Sequence, residues 1–223
     1  MRKSLIEILN YDIIENVGLG DIRFGMTHEE FLKKYNLEDD IKNGIARQVI
    51  GRDGSILEAY LIAKDSIHIS FENGILDSII LSGINGRFSL EYEMLQKTND
   101  ISSLIDFKGK LNGKIGIGSR FGELRAIRRD MQYDDDTEGF YLGIGYKFEI
   151  RLEPPCEFPT WFESSFCEGK IDDWYIDTII MKKWDKDDEY NLDWTQWCRW
   201  TEEGDCINNW VEPEEKYLKI RYR

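Results

Sequence analysis

The chain has little of the chemistry that enzymes and metal proteins draw on, with only two histidines, four cysteines and four prolines in 223 residues. His28 opens a His-Glu-Glu-Phe-Leu run without the second histidine of a zinc-protease helix. His68 alternates with Ile67 and Ile69, which sets it toward solvent or a polar neighbour on a strand. Neither is expected to serve as metal ligand or general base. Cys156, Cys167, Cys198 and Cys206 are irregularly spaced, without a Cys-x-x-Cys pair, so reduced thiols are expected rather than a zinc site or a disulfide framework. The glycines between positions 113 and 122 match neither phosphate-binding fingerprint, and there is no Gly-x-Ser-x-Gly elbow. Asp134, Asp135, Asp136 and Glu138 lack the ligand spacing and central glycine of a calcium loop. No run approaches the ~20 apolar residues of a membrane span. Glu7 and Asp12 interrupt the apolar stretch that a signal peptide needs. The expectation is a cytoplasmic, non-enzymatic protein with no cofactor and no metal.

Positive charge is also short. Lys and Arg number 29 against 43 Asp and Glu, for a net charge of -14 and a pI near 4.7. Such a field repels nucleic acid and anionic membranes, whose binding needs clustered cations, and attracts a basic protein. The excess is shared between the two halves, so it marks no site. Hydrophobic residues at 41% and aromatics at 13% are enough to offset the ordering entropy of folding.

What is present is a pattern stated at positions 18–37 and then repeated. Ile22 and Phe24 alternate with polar neighbours up to Gly25, Thr27 and Glu30 form a capping box, and Phe31, Leu32 and Tyr35 share one helical face. A helix over 27–36 is predicted, followed by a loop at Glu38, Asp39 and Asp40. Positions 4–14 fit a short helix or a strand equally. Strands are predicted at 45–50, 56–63, 67–71 and 75–81, with Asn73-Gly74 as a type I′ hairpin turn between the last two. Helical patterns at 89–97 and 101–107 lead to a linker at 108–113.

From Lys114 the opening returns. Ile115 matches Ile22, Ile117 matches Phe24, Gly118 matches Gly25, Glu123 matches Glu30 and Leu124 matches Phe31. The cap is weaker here, since Ser119 is displaced by one position relative to Thr27 and Gly122 loosens the first turn. Positions 140–152 alternate as one long strand, Phe166-Cys-Glu-Gly echoes Phe71-Glu-Asn-Gly, and Asp177-Thr-Ile-Ile-Met echoes Asp77-Ser-Ile-Ile-Leu. Two matched segments in the same order point to duplication. The tail holds five of the seven tryptophans, of which Trp194, Trp197 and Trp200 step by three, as on one side of a helical turn.

A strand, a Gly-Met-Thr turn and a helix before a small antiparallel meander, carried here by positions 22–31 and again by 115–124, resembles the module that β-lactamase-inhibitor proteins carry twice in tandem. Small outer-membrane assembly lipoproteins hold a single copy of similar shape. The resemblance implies paired sheets presenting a concave surface to another protein, in the manner of a bacterial toxin-immunity protein. The chain lacks the inhibitors' export signal and regular disulfides and adds a tryptophan-rich tail, so the shape is carried over and the β-lactamase target is not.

The fold class expected is therefore α+β, with two tandem copies of a helix packed on a small antiparallel β-meander and a Trp-rich C-terminal extension. The first repeat spans 1–108 and the second, with its acidic tail, 109–223. The function expected is neutralisation of a partner protein, as by an immunity protein against a basic, nuclease-like toxin domain, with no nucleic acid or membrane partner. The alternative is a small-molecule-binding or enzymatic domain with its site in the cleft between repeats. Two acidic clusters beside aromatics are the expected partner-binding residues: Tyr133, Asp134, Asp135, Asp136 and Glu138, and Asp185, Asp187, Asp188, Glu189, Tyr190, Asp193 and Trp194.

Overall fold

Local signals set the first elements. A 3-10 helix, Leu5–Asn10, is capped by the Ser4 side chain, and three two-residue strands follow, β1 (Ile13–Ile14), β2 (Gly18–Leu19) and β3 (Ile22–Arg23). The segment left open between helix and strand thus contains both. In this computed structural model the described residues are 2–83, 107–128, 131–134, 139–142, 148–153, 171–183, 196–200 and 206–210. The expected helices at 89–97 and over most of 101–107 lie outside them.

Helix α1 (His28–Lys34) starts at the predicted box. Thr27 Oγ1 accepts from the Glu30 N–H at 3.2 Å while the Glu30 carboxylate accepts from the Thr27 N–H at 2.8 Å. Phe31 is fully buried between Tyr35, Tyr60 and Phe71, a placement that stabilises the fold by about 1.5–3 kcal/mol. The acidic stretch expected as a loop is instead a second helix, α2 (Leu37–Lys42). Its three carboxylates in the first turn suit the positive end of the helix dipole. Asp40 is buried because it accepts from the Leu5 N–H and the Ser4 hydroxyl, both at 2.7 Å.

Strands β4 (Ala46–Ile50), β5 (Ile56–Ile62), β6 (Ile67–Glu72) and β7 (Ile75–Ser82) form an antiparallel meander close to the predicted bounds. Asn73 and Gly74 take φ of 51° and 75°, the positive pair that a type I′ turn needs. In the second half, α3 (Phe121–Ile127) is followed by β8 (Met131–Asp134), β9 (Gly139–Leu142), β10 (Phe148–Glu153) and β11 (Tyr175–Lys182). The long strand expected over 140–152 is thus two strands, β9 and β10, paired antiparallel.

All eight strands from β4 to β11 make one sheet in the order β4-β5-β6-β7-β11-β10-β9-β8. Each half contributes four consecutive strands, and the two last strands meet at a central seam. Helices α1 and α3 lie on one face: Phe31 stacks on Tyr60 and Phe121 packs at a tilt on Phe140, and these strand residues share that face with Ile67, Leu81, Ile150 and Ile179. The presumed linker is woven into this arrangement. Lys108 N–H donates to the Leu9 carbonyl at 2.7 Å, Ile13 N–H to the Lys110 carbonyl at 3.1 Å, and a Cβ at Gly109 would collide with the Tyr11 carbonyl oxygen.

A separate hairpin pairs β12 (Gln196–Trp200) with β13 (Cys206–Trp210). Trp197 and Trp200 therefore sit in a strand rather than on a helical turn. Trp194 lies outside the described residues.

Candidate interaction surface

The two expected acidic clusters are reached only at their edge by the described residues. Tyr133 and Asp134 end β8, the outermost strand of the second half, and pair with Phe140 and Gly139 of β9. Asp135, Asp136, Glu138, Asp185, Asp187, Asp188, Glu189, Tyr190 and Asp193 lie outside. Beside β8 and β9 stands a carboxylate that the sequence reading missed. Glu149 is 3% exposed and accepts from Arg151 Nε at 2.6 Å and the Tyr141 hydroxyl at 3.1 Å. A Cβ at Gly139 would press on it at 2.8 Å, so a larger residue there would have to push the carboxylate aside.

The face opposite the helices differs between the halves. One register row crosses the whole sheet, through Arg47, Leu61, His68, Ile80, Ile180, Glu149 and Tyr141 to the backbone of Gln132. Ile180, Glu149 and Tyr141 are buried, whereas Arg47 is exposed and Leu61, His68 and Ile80 are only half-buried. The more open stretch is thus that of β4–β7. His68 Nε2 is buried there with no hydrogen-bond partner among the described residues. Burial lowers the His68 pKa against the opposing pull of Asp65, which favours the neutral ring. The expectation of a solvent-facing or polar-partnered histidine gives way to one that is partly enclosed, because its neighbours in the row are Leu61 and Ile80.

On the helix side, His28 has partners that its local sequence does not reveal. Its Nδ1 lies 3.1 Å from Glu58 Oε1, and its Nε2 lies 2.7 Å from the Tyr60 hydroxyl. The ring also stacks on Tyr60 and leans on Phe71. The alternation of β5 places Glu58 and Tyr60 on one face, and His28 opens the helix above it. Burial raises the Tyr60 pKa, with a further push from Glu58, so this phenol stays protonated.

A second network ties the N-terminal segment to α1. Asp21 accepts from the Tyr35 hydroxyl at 2.6 Å and from Lys3 and Lys34, each at 2.9 Å. Burial alone would raise its pKa, but the hydrogen bonds from Tyr35, Lys34 and Lys3 outweigh it and hold the carboxyl at about 2. Across the halves, Arg128 at the end of α3 grips both oxygens of the Glu15 carboxylate. Among the described residues no three His, Cys, Asp or Glu side chains converge as metal ligands, and no helix is long and apolar enough to cross a membrane.

No protein-family model and no curated protein matches the chain. Comparison with solved structures finds similarity to the crystal structure of the uncharacterized protein yfeY from Escherichia coli, at 9% identity over 78% of this chain and 97% of that chain, with a TM-score of 0.39.

Proposed function

We propose that the chain is a non-enzymatic, cytoplasmic binding protein that neutralises a basic partner protein, in the way an immunity protein blocks a bacterial toxin domain. The observation that carries this reading is the single eight-stranded sheet, which has α1 and α3 on one face and ends at β8, the strand that carries Tyr133 and Asp134. A chain of net charge -14 steers such a surface toward cationic partners and away from phosphate.

The proposal includes duplication of a helix-plus-meander unit, and matched hydrogen bonds support it. His28 N–H donates to the Gly74 carbonyl and Phe121 N–H to the Trp174 carbonyl, both at 2.8 Å. Leu76 N–H donates to Met26 and Ile176 N–H to Ser119, both at 2.9 Å. The bridges Thr27–Ile75 and Arg120–Tyr175 recur at the same offsets, and the two helices each have seven residues. On this reading the acidic residues at the β8 edge and in the tail hold the partner.

The test is co-expression with the product of the adjacent reading frame. A toxic basic protein whose growth arrest is relieved by this chain, through an equimolar complex that weakens with salt, supports the reading. An adjacent metabolic enzyme that neither binds the chain nor arrests growth overturns it.

A further inference from the structure

Asparagine followed by glycine is prone to self-modification, because no side chain on the second residue hinders attack by its backbone nitrogen. The chain holds four such pairs, of which Asn43-Gly44, Asn73-Gly74 and Asn112-Gly113 fall in the described residues. All three asparagines are exposed, so water reaches each of them. What separates them is how firmly the fold holds the two residues.

The Gly44 N–H is engaged at the end of α2, donating to the Ile41 carbonyl at 3.0 Å, and the Asn43 N–H is held by the Asp39 carbonyl at 2.9 Å. Asn73 and Gly74 form the turn of the β6–β7 hairpin, and the start of α1 pins that turn from outside. The Gly74 carbonyl accepts from the His28 N–H at 2.8 Å, and Leu76 N–H donates to the Met26 carbonyl at 2.9 Å. Asn112 and Gly113 take a similar positive pair of φ angles, 53° and 69°. Their turn is closed by its own ends, through the Leu111–Ile115 bridge and the Lys114 N–H, which donates to the Leu111 carbonyl at 3.1 Å. Among the described residues no hydrogen bond from another element reaches positions 112–114.

We propose that Asn112 is a site of spontaneous covalent modification, deamidating ahead of Asn43 and Asn73 because its turn opens at the lowest cost. Ring closure requires the asparagine backbone to rotate out of the closed turn. The Gly113 backbone nitrogen then gives up its proton and bonds to Asn112 Cγ, the Cγ–Nδ2 bond breaks, and ammonia leaves with that proton. Water opens the cyclic imide at either carbonyl, leaving aspartate or β-linked isoaspartate. The new carboxylate lies between Lys110 and Lys114 in the sequence, and the isoaspartate form lengthens the backbone by a methylene in the stretch that ties the halves together.

The test ages the full chain at mildly alkaline pH, folded and in guanidinium chloride, and quantifies the three peptides by mass spectrometry after digestion. In the folded chain, conversion at Asn112 is expected to run at least about tenfold faster than at Asn43 or Asn73, a separation set by local opening. In denaturant the three rates should converge. Conversion at Asn43 or Asn73 that matches or exceeds that at Asn112 in the folded chain overturns the proposal. A lead for Asn112 that is undiminished in denaturant overturns it equally, since neighbouring sequence rather than the fold would then set the order.

Discussion

Ile80 on β7 stands directly opposite Ile180 on β11, and the rungs on either side are exchanged about this pair: Ile79 faces Met181 as Leu81 faces Ile179, and Ser78 faces Lys182 as Ser82 faces Thr178. The outermost bonds keep the same exchange, with Gly83 N–H donating to Asp177 at 2.8 Å and Lys183 N–H to Asp77 at 2.6 Å. A local two-fold axis thus passes through the seam. The sequence echo between 77–81 and 177–181 lies on that axis.

Because the seam is shared, the halves should unfold together. Ile180→Asp places a charge at a buried rung and is expected to cost about 3 kcal/mol. Urea unfolding followed by tryptophan fluorescence and by far-UV circular dichroism should give one coincident transition, shifted as a unit in the variant. Two separated transitions would show that the halves are independent.

The helix anchors should be costly in both halves and the helix caps in one alone. Phe31→Ala is expected to destabilise by about 3–5 kcal/mol and Leu124→Ala by about 2–5 kcal/mol, since both side chains are fully buried. Thr27→Ala should cost about 1 kcal/mol. No side chain caps α3, so there is no matching loss to be made at Arg120. Equilibrium denaturation of each variant measures this.

Acid should act at Asp21 and at His68, in different ranges. The Asp21 pKa is depressed from 3.8 to about 2, so its contribution is present above 3.8 and is lost as pH falls from there toward 2. The His68 pKa is lowered from 6.5, so its contribution is present above 6.5 and declines as pH falls below that value. Asp21→Asn should flatten the lower limb of a stability-against-pH curve, and His68→Leu the upper limb.

The cysteines should remain alkylatable. In the β12–β13 hairpin Cys198 faces Asn208 and Cys206 faces Trp200, so the two lie on a diagonal with Cα atoms roughly 8 Å apart by strand spacing, too far for an unstrained bridge. Mass spectrometry after alkylation under denaturing, non-reducing conditions should find four modified thiols.

Charge neutralisation tests the proposed surface. Replacing Asp134, Asp135, Asp136 and Glu138 by their amides, together with Asp185, Asp187, Asp188, Glu189 and Asp193, should slow association with a basic partner and flatten its salt dependence, with little change in melting temperature. Unchanged kinetics would move the contact to the open face of β4–β7.

What was legible in the sequence was local. Thr27 and Glu30 are three residues apart, and Asn73-Gly74 names its own turn, so α1 and the β6–β7 hairpin follow from neighbours in the chain. The contacts that matter most for the surface span long separations. Nothing near Asp40 announces that it is buried, because its partners, Ser4 and Leu5, lie at the other end of the unit. His28 meets Glu58 and Tyr60 only once the helix crosses the meander, although the shared face of positions 58 and 60 was readable from β5. The tryptophan spacing misled, because a step of three is equally available to a strand when the intervening residues carry no clear alternation.

The pairing of β7 with β11 also has a consequence for synthesis of the chain. β7 leaves the ribosome about 100 residues before its neighbour, which at about 5–20 residues per second leaves its outer edge open for roughly 5–20 s. An exposed strand edge is a template for another chain. The segment carries its own deterrents, since Asp77 and Ser78 on one side and Ser82 on the other bound the apolar run Ile79, Ile80 and Leu81. Replacing those three polar residues with valine would be felt first as insoluble nascent protein, before any loss appeared in the finished fold.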